Sequence, residues 1–390
     1  MIESIIVQTA EVDDADSAVS GILAQLAGKT LRKNSVGIVS CFADFISSGI
    51  LAALAEKLPF PLVGTTTLAA AASGGIQGQV LLVITVLTSD EVEFAAGVTD
   101  PVTGEDDTPF RAAWEKTGAR RNDKPALMLS FAPLLLNVPA DFFAEAWSGI
   151  TGNVPNFGTL AVDHHPDYHE SQTILNGEGF RDRYVFVFCY GKLEPRFFIG
   201  GISEEKAFRE KGVVTSSRGN QLKAVNGVSV AEYLSSLGME RDESGAITGI
   251  NAFPFIQDYK DGTQPVIRVM FAITPDGSAV CGGKIPEGAE LSVGFISAEV
   301  VLKYTDEALR TALAETGAKT RGKTFLVFSC VGRFFAMGYN SSAEMDKIAG
   351  ILAEVPFHLS YSGTELCPVH GKDGKLINRS HNDTIVICVL

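Results

Sequence analysis

Several absences narrow the reading of this 390-residue chain before any pattern is sought. Its six cysteines, Cys41, Cys189, Cys281, Cys330, Cys367 and Cys388, form no CxxC pair and show no close spacing. Four of them stand in or beside apolar runs, as buried free thiols do. No signal-peptide pattern is found at Met1-Ile2-Glu3-Ser4, so a reduced, cytoplasmic setting is expected. The longest apolar stretch, residues 62–87, is broken by Gly64, Ser73, Gly74, Gly75 and Gln77 to Gln79, too often to span a bilayer. Positive charge is scarce: 32 Lys and Arg face 46 Asp and Glu, a net charge of −14 that argues against nucleic acid and anionic membranes as partners. There is no GxxxxGK[ST] loop. Gly177-Glu178-Gly179 lacks the further glycine and following helix of a dinucleotide site, so an ATP- or NAD-dependent enzyme is disfavoured.

What is present is a globular composition, 46% hydrophobic and 20% charged, long enough for two domains or more. Residues 4–10 suggest a strand. Residues 13–26 suggest a helix, because Ala15, Ala18, Val19, Ile22, Leu23 and Leu26 share one face. An apolar run at 36–41, a helix at 45–57, a Pro-to-Gly-Thr element ending at Gly64-Thr65, and strands at 80–87 and 92–97 follow. The order then returns: helix 110–117, apolar run 125–131, helix 139–149, Gly158-Thr159, strands 184–190 and 196–201. A third copy has a helix at 298–316, an apolar run at 324–328, Gly363-Thr364 and a last strand at 385–390. Matching Ser40 with Ser130 and Ser329, and Gly64 with Gly158 and Gly363, gives three repeated units.

Residues 203–297 differ. Short β-like runs at 212–216, 221–225, 265–273, 278–282 and 290–295 are separated by turn signals such as Asn226-Gly227 and Pro275-Asp276-Gly277, with one helix at 230–237. The fold expected is α/β (α+β): mixed β-sheets with helical layers, built from repeated strand–helix–strand units, in two domains at 1–201 and 202–390. The second domain would hold the β-rich part followed by the third unit at 298–390.

The last stretch carries the most distinctive residues. Ser329-Cys330-Val331-Gly332-Arg333, then Ser360-Tyr361-Ser362-Gly363-Thr364-Glu365-Leu366-Cys367-Pro368, then His381-Asn382-Asp383-Thr384, resembles the C-terminal FIST domain. Asn220 to Gly227, with Ala231, Tyr233, the run Ile285 to Gly288 and Val293, is similar to the earlier part of that domain. Residues 35–200 resemble the N-terminal FIST domain, although Gly64-Thr65-Thr66-Thr67 departs from its small-polar-Gly pattern. The resemblance implies a sensory module without chemistry of its own that binds a small ligand, amino acids being the proposed class. Its output would pass to a separate signalling protein, such as a histidine kinase or diguanylate cyclase.

Arg333 could hold a carboxylate through its fork, or pair structurally with a neighbour such as Glu365. Together, Arg333 and Glu365 would match both ends of an amino acid. His381 and Asn382 precede the terminal strand and are expected first to hydrogen-bond turn backbone, with Asn382 also able to bind a ligand. Cys330 and Gly363 complete the ligand-binding candidates. Catalysis by Cys330 with His381, or by Glu365, is the least favoured reading, since a thiol after an apolar strand is more often packing. Asp163-His164-His165-Pro166-Asp167-Tyr168-His169 is the one histidine cluster. It is read as a solvated loop, with metal or haem ligation as the alternative, because Pro166 interrupts any helix between His165 and His169. Haem has been associated with some FIST proteins, so a haem-based gas sensor is the second functional reading; no metal or cofactor is assigned.

Overall fold

The computed structural model describes residues 2–118, 123–202, 207–242, 247–317 and 322–390; residues 203–206, where the expected β-rich part begins, lie outside them. Three copies of one element order make up most of the fold. The first copy runs β1 (Glu3–Thr9), α1 (Ala15–Leu26), β2 (Asn34–Cys41), α2 (Asp44–Ser47), α3 (Ile50–Lys57), β3 (Leu62–Thr66), the hairpin β4 (Ala70–Ala72) and β5 (Gln77–Gly78), then β6 (Leu82–Ser89). The second runs β7 (Glu93–Val98), α4 (Thr108–Thr117), β8 (Leu127–Ala132), α5 (Ala140–Thr151), β9 (Asn156–Leu160), the hairpin β10 (Thr173–Leu175) and β11 (Glu178–Phe180), then β12 (Val185–Tyr190). The third opens with β13 (Arg196–Gly200) and breaks off for an insertion.

That insertion comprises β14 (Gly212–Arg218), β15 (Gln221–Val225), β16 (Val228–Ser229), α6 (Val230–Ser236), β17 (Phe255–Asp258), β18 (Val266–Arg268), β19 (Met270–Ile273), β20 (Ala279–Cys281) and β21 (Glu290–Val293). The third copy then resumes with α7 (Ala298–Thr316), β22 (Phe325–Cys330), α8 (Val331–Ala336), α9 (Ala343–Ile351), β23 (Phe357–Ser362), the hairpin β24 (Glu365–His370) and β25 (Leu376–His381), and β26 (Ile385–Val389). The expected α/β architecture with repeated units is therefore present.

In each copy a helical crossover joins two parallel strands, β2 with β3, β8 with β9, and β22 with β23. The last strand of each copy returns antiparallel beside them, and the first strand takes the edge. The hairpins, however, leave home. β4–β5 extends the third sheet, β10–β11 the first, and β24–β25 the second. No copy completes its own sheet. The inner faces of the three sheets share one core that includes Ile38, Val63, Leu129, Phe157, Phe328 and Val386. Each outer face packs its own helices: Val19 and Leu54 on the first, Phe143 and Trp147 on the second, Leu309 and Ile348 on the third.

The register of the repeat differs from the one read in the sequence. Gly37, Met128 and Phe325 each donate a backbone N–H to Pro61, Pro155 and Pro356 at 2.9 Å, which aligns the copies on proline. Gly64 and Gly158 then coincide, but Leu359, not Gly363, occupies the third position. Ser40, Ser130 and Ser329 fall at three successive offsets. Ser40 faces inward to His358, whereas Ser130 bonds Asn156 and Ser329 bonds Glu344 on the outer side. Serine at a strand end is common enough that chain order alone aligned residues facing opposite ways.

The insertion's strands follow the order β18-β17-β21-β14-β15-β20-β19. Residues 265–273, expected as one strand, divide at Val269 into the two opposite ends of this sheet. The sheet must therefore curl until its edges nearly meet, a barrel-like closure around Leu222, Phe255 and Leu291. Asn226 and Gly227, at φ 53° and 82°, make the tight turn their dipeptide signals. Arg268 ties the insertion to the second copy through a buried 2.7 Å ion pair with Asp141. Among the described residues no helix is long and apolar enough to cross a membrane.

Candidate functional site

β22 stops at Cys330 and α8 begins at once, so Arg333 lies one turn in and turns back toward its own strand. Its Nη2 donates to Glu344 Oε1 at 2.7 Å, to Thr305 Oγ1 at 2.7 Å and to the Val301 carbonyl at 3.2 Å. Its Nε reaches Ser329 Oγ and Glu344 Oε1, both at 3.1 Å. Glu344 Oε2 in turn accepts from Ser329 and from the Tyr361 hydroxyl. The acidic partner of Arg333 is therefore Glu344 on α9, not Glu365. Both members are almost fully buried, where a lone charge would be very costly. Nothing in sequence distinguishes Glu344 from the carboxylates on a helix surface.

Glu365 opens β24 and is fully buried. Its Oε2 accepts from Thr384 Oγ1 at 2.8 Å, while Oε1 has no partner among the described residues. Asp383 sits at φ 50°, a left-handed conformation that aspartate tolerates better than most side chains, and its Oδ2 is likewise unpartnered. Burial raises the Glu365 carboxyl well above its ordinary range, with Asp383 adding repulsion. Burial also raises Asp383 to about 7. The Cys330 thiol is pushed far up by burial, then by Glu365 and Asp383, which is the opposite of what a nucleophile needs. Glycine permits this crowding: a Cβ at Gly332 would stand 2.2 Å from Asp383 Oδ1, and one at Gly282 2.4 Å from Asn382 Oδ1.

His381 is the last residue of β25 and the register partner of Glu365, not part of the turn expected from sequence. Its Nε2 meets the Cys367 carbonyl at 3.0 Å, and burial lowers its pKa to about 4, so the ring is neutral with Nδ1 left as an acceptor. Asn382 Nδ2 donates to Thr364 Oγ1 at 3.1 Å, and its Oδ1 has no partner among the described residues. Gly363 has no left-handed backbone; a Cβ there would meet Val162 at 3.0 Å. Cys330, Glu365 and Arg333 thus share one electrostatic neighbourhood with Asp383, which the sequence places beside Asn382 without marking it as a site residue.

Beside this cluster, and reaching Thr384 and His381, a cleft of about 620 Å³ opens between the third copy and the insertion. β13 contributes Arg196, α7 contributes Tyr304, Glu307 and Glu315, and β18 contributes Ile267. Arg333 does not line it. Arg196 and Glu315 form a half-exposed pair at 3.1 Å. Both charge signs therefore stand on the cleft walls, with neutral His381 and Thr384 at its inner end. No sequence signal joined residues this far apart in the chain.

The histidine cluster lies in the connection from β9 to β10. His164 stacks on Phe42 at 4.5 Å, His165 approaches Glu170, and His169 approaches Asp167.

Comparison with known proteins supplies the family. The model of the FIST N domain matches residues 35–228, and that of the FIST C domain matches residues 229–368, so His381 and Asn382 lie beyond the matched range. No curated protein matches the chain. Among solved structures, cyanuric acid hydrolase from A. caulinodans shares 11% identity over 100% of this chain and 99% of its own, with a TM-score of 0.37. T. maritima PurL complexed with FGAR shares 11% identity over 100% of this chain and 72% of its own, with a TM-score of 0.20. Neither likeness is close enough to carry an argument. The two family models together span most of the chain, which belongs to the FIST family, whose domains are generally taken as small-ligand sensory domains of signalling proteins.

Proposed function

We propose that this chain is a ligand-binding sensor whose ligand is amino-acid-like and occupies the cleft between the third copy and the insertion. The observation that supports this reading is that Arg196, Glu307 and Glu315 all line one cavity of about 620 Å³, with Arg196 and Glu315 paired at 3.1 Å. A carboxylate end would go to the arginine fork and an ammonium end to the glutamates. The Arg196–Glu315 pair is half-exposed, so it is worth little by itself and opens readily to a ligand. His381 Nδ1 and the Thr384 hydroxyl would meet polar atoms at the inner end. The size suits a small metabolite.

Binding without turnover fits the buried, high-pKa thiol at Cys330. Six buried free cysteines are consistent with a cytoplasmic module. Its state would be read by a separate signalling protein, such as a histidine kinase or diguanylate cyclase.

Thermal-shift screening of amino acids and related metabolites tests the reading. A binder at a hundredfold excess over its Kd stabilises by about 2.7 kcal/mol. Arg196→Gln should abolish that shift without unfolding the chain. No shift from any amino acid, or an undiminished shift in the variant, would overturn the assignment.

A further inference from the structure

Half of the chain's six histidines sit in residues 161–172. The fold of this connection is set by Asp163, a buried carboxylate that accepts from the backbone N–H of His165 at 2.6 Å and from that of Glu170 at 2.7 Å. Tyr168, at φ 52°, donates its N–H to the His165 carbonyl and packs its ring against the core of the third copy. These constraints bend the chain so that residues on either side of Pro166 face each other. His165 Nε2 comes 3.2 Å from Glu170 Oε2, and the His165 and His169 rings lie 4.1 Å apart. One ligating atom from each of His165, His169 and Glu170 falls within 4.8 Å of the others.

We propose that His165, His169 and Glu170 form a binding site for one divalent transition-metal ion of the zinc type. Zinc bonds to imidazole nitrogen and carboxylate oxygen are roughly 2.0–2.2 Å, so tetrahedral neighbours stand roughly 3.3 Å apart. The His165–Glu170 separation already meets that edge, and small shifts of these surface side chains would close the others. A second feature points the same way. His169 Nδ1 donates to Asp167 Oδ1 at 2.7 Å, which leaves Nε2 free and oriented. A carboxylate behind the distal nitrogen is the arrangement that fixes metal-binding imidazoles. Two imidazoles favour zinc, nickel or copper over magnesium or calcium. Three protein ligands leave a fourth position open. As ion pairs alone, these exposed contacts would contribute little. Because Tyr168 lies between the ligands, a bound ion would brace this loop against the third copy.

Metal titration of the full chain, stripped with chelator, tests the site. Zn²⁺ should bind at one ion per chain by calorimetry, and Co²⁺ should give the visible d–d absorption of a low-coordinate site. H165Q/H169Q should remove both signals while the circular dichroism stays native. D167N should retain the stoichiometry and lose about 10–100-fold in affinity. H370Q, at an exposed histidine elsewhere, should bind as wild type does. Absence of stoichiometric Zn²⁺ and Co²⁺ binding, or equal binding by H165Q/H169Q, would overturn the proposal.

Discussion

Arg333 and Glu344 meet at 2.7 Å with both side chains almost wholly buried, and this pair closes the outer face of the third sheet. Ser329, Thr305 and Tyr361 add hydrogen bonds to the two groups. Removing one member leaves an uncompensated buried charge. Glu344→Gln should lower the unfolding free energy by about 3–5 kcal/mol, whereas the apolar double replacement R333M/E344L should cost much less. Denaturant unfolding curves measure both; a wild-type midpoint for Glu344→Gln would refute the account.

Asp383 gives a pH dependence with a definite sign. Its folded pKa is raised to about 7, above the unfolded value of about 3.9, so the folded state holds the proton longer. This group's contribution is most favourable below the unfolded value and is lost as pH rises toward 7, by up to about 1.4 kcal/mol per pH unit. Asp383→Asn, which cannot ionise, should gain on the wild type across that window. Parallel stability profiles for the two proteins would count against it.

His358 behaves in the opposite way. Its ring nitrogens meet Ser40 Oγ at 2.7 Å and Thr85 Oγ1 at 2.9 Å, joining the third sheet to the first, and burial depresses its pKa to about 4. Stability from the neutral ring is present above the unfolded value of about 6.5 and is lost as pH falls through the folded value. His358→Gln should therefore be less stable than wild type at neutral pH but flatten the acid limb of the profile. An unchanged acid limb would mean that the ring is not held neutral.

Two glycine substitutions should separate close packing from open surface. A Cβ at Gly64 would lie 1.8 Å from the Val39 carbonyl oxygen, so Gly64→Ala must push apart the parallel pair β2 and β3, at a cost of about 1–3 kcal/mol or more. Gly21 on α1 has open space, and Gly21→Ala should be stabilising by roughly 0.5–1 kcal/mol. Melting temperatures that move in the same direction would contradict the geometry.

The legible part of the fold was the part with a period. Helical faces such as Ala18, Val19 and Ile22, and runs such as Phe325 to Phe328, lie where their spacing puts them. Hairpins β4–β5 and β10–β11 were missed because strands of two or three residues have no alternation to detect. Of the candidate residues, Cys330, Glu365 and Arg333 do gather near Asp383. Asp383 itself carried only a weak signal, an aspartate in a turn before an apolar strand.

By itself, the sequence determined most of the longer strands and helices, the threefold return of their order, a β-rich segment before the third helix–strand unit, and the tight turns, because each depends on neighbours a few residues apart. Tertiary structure alone decided which sheet each hairpin joins, that Arg333 answers Glu344, and that Arg196 pairs with Glu315 on the wall of a cleft. Those pairings depend on burial and on contacts between segments far apart in the chain. Local propensity does not encode them. Side chains of the same type are interchangeable until the fold places one in a dry interior beside a single partner.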